Sequence, residues 1–273
     1  MKKLTVYLLT VLIISFSVIN TSCKKDEEEV SETPQEAPEV PPLSTFLMDF
    51  SNFSNPDDTL NNKTTFQHWG HSFANAAFWN TVITIGLAVP VASFTESFNH
   101  PAVYDSENQE WYWTYTVTPG NIDHICKLTA SISGNYIIWK MFITKVDHFD
   151  NFMWYEGKSH LDGTTGYWIL YKSPTENFEL LQIDWNRASN VLTDIKYTNI
   201  EPDGDENGGY IFYGLQVEDS YDAFYDIYNK GVNNLTSIRY HRTNKNGKVK
   251  DPAKFGDDEW RCWDTTLADT DCN

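Results

Sequence analysis

The sequence predicts a mainly β (α+β) protein: an antiparallel meander that forms a curved sheet or partly open barrel, packed around an N-terminal buried apolar helical segment. Three observations predict it. From about position 110 onward, short runs alternate apolar and polar residues, separated by Gly, Asn and Asp turn signals with no clear helix between most of them. Just before them, residues 64–95 contain no Asp, Glu, Lys or Arg, and Phe66, Trp69, Phe73, Ala76, Ala77 and Val82 or Ile83 recur at helical spacing. Aromatic residues make up 15% of the chain, enough bulky side chains to fill one large core.

The first residues read as an address. Met1, Lys2 and Lys3 are followed by an uncharged apolar or hydroxylic run over 4–19, and Thr21 and Ser22 precede Cys23. A basic start, an apolar run and small residues are the order of a secretion signal, so 1–22 is set apart from the fold. Residues 24–42 then hold seven carboxylates, two lysines and four prolines, a composition that cannot bury apolar surface and stays extended. The division predicted is signal 1–22, tether 23–42 and a single β-rich domain 43–273.

Thr21-Ser22-Cys23 resembles a bacterial lipobox, and Cys23-Lys24-Lys25-Asp26-Glu27-Glu28-Glu29 resembles the lysine-plus-acidic export signal of Bacteroidetes surface lipoproteins. The resemblance implies that Cys23 is lipidated. It also implies a chain held by that lipid in the outer membrane and facing the cell exterior. The net charge of −18 argues against nucleic acid as a partner, because phosphate binding needs clustered Lys and Arg.

Within 64–95, Thr64 or Thr65 can cap the helix start and Pro90 is expected to break the helix. A helix apolar nearly all round is buried in protein or lipid, and the Asn and Thr residues of this one favour protein. Strands follow over 111–117, 122–132, 137–143, 152–157, 167–171, 181–185, 191–197, 210–217, 237–242 and 247–250. Residues 221–228 suit either a helix or a strand. This arrangement resembles the LolA and LolB envelope carriers, in which helices line a curved sheet. The resemblance is one of architecture and implies no activity.

Cys262 and Cys272 close a short loop and are the expected disulfide, with Cys126 a buried free thiol; a bridge from Cys126 to either partner is the alternative. Asp203, Asp205 and Asn207 resemble the first half of a calcium loop, but position 214, which would need a bidentate Glu, is glycine, so they are weak metal candidates. His68 and His71 have a spacing that can bring two imidazoles to one metal, with no third ligand identified. Glu156 and Asp184 are carboxylates beside Trp, the residue types a glycosidase sets across a scissile bond. Trp111, Trp113, Trp139, Trp154, Trp168 and Trp185 serve either as core or as a sugar-stacking face. No nucleotide or common hydrolase motif is present and no cofactor is predicted. The function expected is an outer-membrane-anchored, surface-exposed lipoprotein acting as a non-enzymatic binding module for a glycan or apolar ligand. The alternatives are a glycan-active hydrolase using Glu156 and Asp184, and a structural envelope protein without a small-molecule site.

Overall fold

The computed structural model describes residues 36–53, 66–189, 191–216 and 221–272. The signal 1–22, Cys23 and most of the tether lie outside the described residues. The compact unit that carries the fold runs from Ala37 to Asn273. Its first residues already pack: Val40 is buried against the core, and Ala37 lies beside it.

One antiparallel sheet of fourteen strands forms in strict chain order and is left open, since its first and last strands do not pair. The strands are β1 (Val103–Asp105), β2 (Glu110–Val117), β3 (His124–Ser133), β4 (Tyr136–Lys145), β5 (Phe149–His160), β6 (Thr165–Tyr171) and β7 (Glu179–Ala188). They continue as β8 (Val191–Asn199), β9 (Tyr210–Leu215), β10 (Ala223–Asn229), β11 (Asn234–Tyr240), β12 (Gly247–Lys250), β13 (Arg261–Trp263) and β14 (Asp269–Thr270). The alternation places Trp113 and Tyr115, Trp139 and Met141, and Ile183 and Trp185 inward, all buried. Trp154 falls on the opposite parity and clusters with Phe149 and Phe152. Of residues 221–228, readable either way in sequence, 223–228 belong to the strand β10, which β9 and β11 flank.

Glycines let the inner tryptophans lie flat on the sheet. Gly157 is paired across strands with Trp168, Gly166 with Trp185, and Gly247 with Trp263. A Cβ on any of the three glycines would sit 2.2–2.4 Å from the partner indole. Each indole therefore occupies the space that a side chain on the neighbouring strand would take.

Two helices precede the sheet, α1 (Gln67–Gly86) and α2 (Ala88–Ser97), bent by 75° where they meet. The bend falls at Leu87, before Pro90, for a physical reason: in a continuous helix the Pro90 ring would strike the carbonyl of residue 86. Pro90 sits instead in the first turn of α2, where a missing N–H costs nothing. α2 packs on β2 and α1 on β12, β13 and β14, so the pair reaches from one side of the open sheet to the other.

The expectation of a helix engulfed by the sheet is corrected here. α2 buries Phe94 fully, but α1 leaves Phe78 62%, Val82 44% and Ile85 74% exposed. A helix without charged residues is not thereby covered on every side, and one face of α1 borders an open cleft. What fills the sheet interior is a segment the sequence did not single out, residues 43–53. It carries single-turn 3₁₀ helices at Leu43–Thr45 and Ser51–Phe53. Phe46 stacks on Phe94 at 4.6 Å and meets Trp168 edge-on, while Phe50 and Phe53 pack on Tyr225. Inward tyrosines tie this segment down: Tyr197 Oη donates to the Phe46 carbonyl at 2.8 Å and accepts from the Met48 N–H at 3.0 Å. Tyr225 Oη donates to the Asp49 carbonyl. Burial pushes the phenols of Tyr155, Tyr197 and Tyr225 upward, so they act only as neutral hydrogen-bonding groups.

Candidate functional site

Along α1 the residues Asn75, Phe78, Trp79, Val82, Ile83 and Gly86 share one face, at the 3–4 residue period of a helix, and Leu87 at the bend follows them. That face borders a cavity of about 540 Å³ whose opposite wall is built from the ends of β7 to β11. A volume of roughly 300–1,000 Å³ with mostly apolar walls and a few polar groups is what small-molecule sites offer. Ile83, Leu87, Tyr197 and Ile227 form the deep part and are buried. Phe78 and Val82 stand exposed at the mouth, opposite Val232 in the turn between β10 and β11.

One end of the cavity is closed by a polar network centred on Asp251, which is 5% exposed. Its Oδ2 receives His71 Nε2 at 2.7 Å and the Thr236 hydroxyl at 2.8 Å. Its Oδ1 receives Asn234 Nδ2 at 2.9 Å and the Lys254 N–H at 3.2 Å, which caps the short helix α3 (Pro252–Phe255). Burial acts to raise the Asp251 carboxyl, but the bonds from His71, Asn234, Thr236 and Lys254 outweigh it and hold the group below its ordinary value of 3.8. Thr236 donates to the carboxylate and not to the imidazole, so the geometry of an activated nucleophile is not formed. The network fastens α1 to the sheet.

His68 and His71 turn to different partners. His68 Nδ1 lies 2.8 Å from the Cys262 carbonyl, whereas His71 meets Asp251. Asp269 receives the Gln67 and His68 N–H groups, capping an α1 N-terminus that has no cap of its own. Among the described residues no group of three His, Cys, Asp or Glu is gathered for a metal ion. Asp203, Asp205 and Asn207 are exposed in the β8–β9 loop, and the Asn207 amide donates to the Glu201 carbonyl at 2.8 Å.

Glu156 and Asp184 lie on the parity opposite the buried residues of β5 and β7, outside the cavity. Glu156 accepts the Tyr171 hydroxyl at 3.0 Å, and Asp184 accepts the Gln182 amide at 2.7 Å. Two strand spacings separate them, about 10 Å before an additional offset along the strands. Cys262 and Cys272 are joined by a disulfide, next to Trp263 and the Asp269 cap. Cys126 is a free, buried thiol pushed up to about 12 by burial, and so unreactive.

The cavity itself was half legible in the sequence. The helical face from Asn75 to Ile83 stands out as uncharged, but the facing wall comes from strand ends scattered over 180–251. Among the described residues no single helix is long and apolar enough to cross a membrane; α1 and α2 reach that length and composition only as a bent pair. The chain matches no protein-family model, no curated protein and no solved structure.

Proposed function

We propose that the folded unit is a binding module for an apolar ligand, carried outside the cell by a lipid on Cys23. The observation that carries the reading is the cavity: about 540 Å³ bordered by an apolar helix whose residues Phe78 and Val82 remain exposed at its mouth. Exposed apolar groups continuous with an apolar hollow are costly to leave in water, and a ligand that covers them offsets that cost. The polar residues at the cavity end are bonded to one another, which suits holding shape more than performing chemistry. The sequence order of 1–29 supports the lipid anchor, the outer-membrane location and display at the surface.

Gly86 supplies the test, because it lines the cavity and a Cβ there meets nothing within 4 Å. In Gly86→Leu the Cβ has open space, the rest of the side chain takes up room in the cavity, and a poor helix former is replaced. The full chain is expected to bind the neutral apolar dye N-phenylnaphthylamine, seen as fluorescence enhancement. Gly86→Leu is expected to weaken binding at least about ten-fold, roughly 1.4 kcal/mol, with no fall in melting temperature. No dye uptake by the unaltered chain, or equal uptake by both, overturns the reading. For the anchor, Cys23→Ser is expected to abolish labelling by palmitate and to release the chain from the membrane fraction; labelling that survives the substitution removes the lipidation.

A further inference from the structure

Among the described residues the two most exposed large apolar side chains are Ile85 and Val232, and both stand at the cavity mouth. Val232 lines the cavity from the turn between β10 and β11. Ile85 lies outside the lining, a step further round α1. At about 100° per residue it falls within about 60° of Phe78 and Val82, which do line the cavity. The three form an apolar ridge about 10 Å long, on the side of α1 away from the buried Ala76 and Ile83.

Three observations point to what covers this ridge. The first is charge: no Asp, Glu, Lys or Arg occurs over 64–95. Val146, as exposed as Phe78, shows the contrast, because its turn carries Lys145, Asp147 and Asp150. Beside Val232 the Glu206 carboxylate accepts the N–H groups of Lys230 and Gly231, at 3.0 and 3.1 Å.

The second is that the hydroxyls between the ridge residues are turned back on their own helix. Thr81 donates to the Ala77 carbonyl at 2.8 Å, and Thr84 donates to the Asn80 side chain at 3.3 Å. A protein partner uses such groups at the rim of its interface, whereas lipid accepts them best when they are satisfied within the helix. The third is reach. From Cys23 to Ala37, where the compact unit begins, the chain can span roughly 50 Å at most. A lipid on Cys23 therefore keeps the ridge close to one particular surface, the leaflet that carries the lipid, at high effective concentration.

We propose that the α1 ridge and Val232 insert into that leaflet, so that the cavity opens onto the membrane and takes its apolar ligand from it. The inference rests on the lipid-anchored binding reading above. An interfacial helix buries its apolar face about 5–10 Å into the boundary of headgroups and acyl chains, the height of one side-chain ridge, and the sheet stays in water.

The cysteines allow a direct test. Cys126 is buried and Cys262 is bridged to Cys272, so a cysteine introduced at an exposed site takes a thiol-reactive nitrobenzoxadiazole label, with the unaltered chain as background. The lipidated chain is placed on phosphatidylcholine vesicles with and without lipids that bear a nitroxide on the acyl chain. Labels at Ile85→Cys and Val232→Cys are expected to be quenched at least about two-fold, and a label at Val146→Cys to stay bright. Ile85→Asp is expected to abolish quenching of the label at 232. It is expected to leave the melting temperature and the uptake of N-phenylnaphthylamine unchanged, because Ile85 is outside the cavity lining.

Absence of quenching at 85 and 232 in a chain that floats with the vesicles overturns the docking and leaves the anchor standing. Equal quenching at all three sites overturns it too, since the chain would then adsorb without orientation. Loss of dye uptake in Ile85→Asp assigns the ridge to the cavity and removes the membrane contact. A chain that does not float removes docking and anchor together. Dye uptake that fails in the unaltered chain removes the cavity reading, while the quenching still decides whether the ridge meets lipid.

Discussion

Gly166→Ala is expected to lower the stability of the folded unit by about 3 kcal/mol, the upper part of the range for overpacking a well-filled core. The new methyl group would lie 2.4 Å from Trp185 Cζ2 and 2.6 Å from the Lys158 carbonyl oxygen. The indole has nowhere to go, being 1% exposed, and the carbonyl belongs to β5, which is paired on both sides. At about 2–4 °C per kcal/mol for a unit of this size, the melting temperature falls by roughly 6–12 °C. Gly70→Ala is the internal control. It lies in α1, a Cβ there meets nothing within 4 Å, and alanine improves helix propensity, so a gain of about 0.5–1 kcal/mol is expected. Thermal melts followed by near-ultraviolet circular dichroism, which reports the buried indoles, decide the matter. Equal melting temperatures for Gly166→Ala and the unaltered chain would mean that the sheet yields where the packing says it cannot.

Asp251→Ala is expected to cost about as much, roughly 3 kcal/mol or more, because four donors lose their acceptor at once. The loss reaches α1 through His71 and α3 through its cap. The acid response separates the charge of Asp251 from its shape. The folded-state carboxyl titrates below the unfolded value of 3.8. Its contribution is therefore complete above that value and disappears as pH falls through the lower, folded value. Asp251→Asn keeps the shape without the titration. Its deficit relative to the unaltered chain is expected to shrink as pH falls below about 4. Denaturant unfolding at a series of pH values measures it, and a deficit that stays constant down to pH 3 would assign the network's strength to packing alone.

The meander was readable because alternation and turn signals are local. The run 111–117 and the observed β2 differ by one residue, and β12 matches the range read from sequence. β1, β13 and β14 went unread because two or three residues carry no period. The greater omission was residues 43–53, whose apolar side chains look like a linker's end until Tyr197 and Tyr225 are seen to hold their carbonyls. For α1 the composition gave the helix and misjudged its surroundings. Uniform apolarity tells that every side avoids water, not that protein covers every side. The cavity wall facing α1 was out of reach, since it gathers strand ends over 180–236 that only the register of β7 to β11 brings together.

The chain-order topology also has a kinetic side. Each strand of the sheet finds its partners next door, so the ladder can grow hairpin by hairpin with small closure entropy. The Phe46 carbonyl waits for Tyr197, and the start of α1 waits for Asp269, some two hundred positions later. Synthesis thus delivers an almost complete ladder before the Asp269 tether exists, and the final fourteenth strand acts as the latch that commits the first helix to its place.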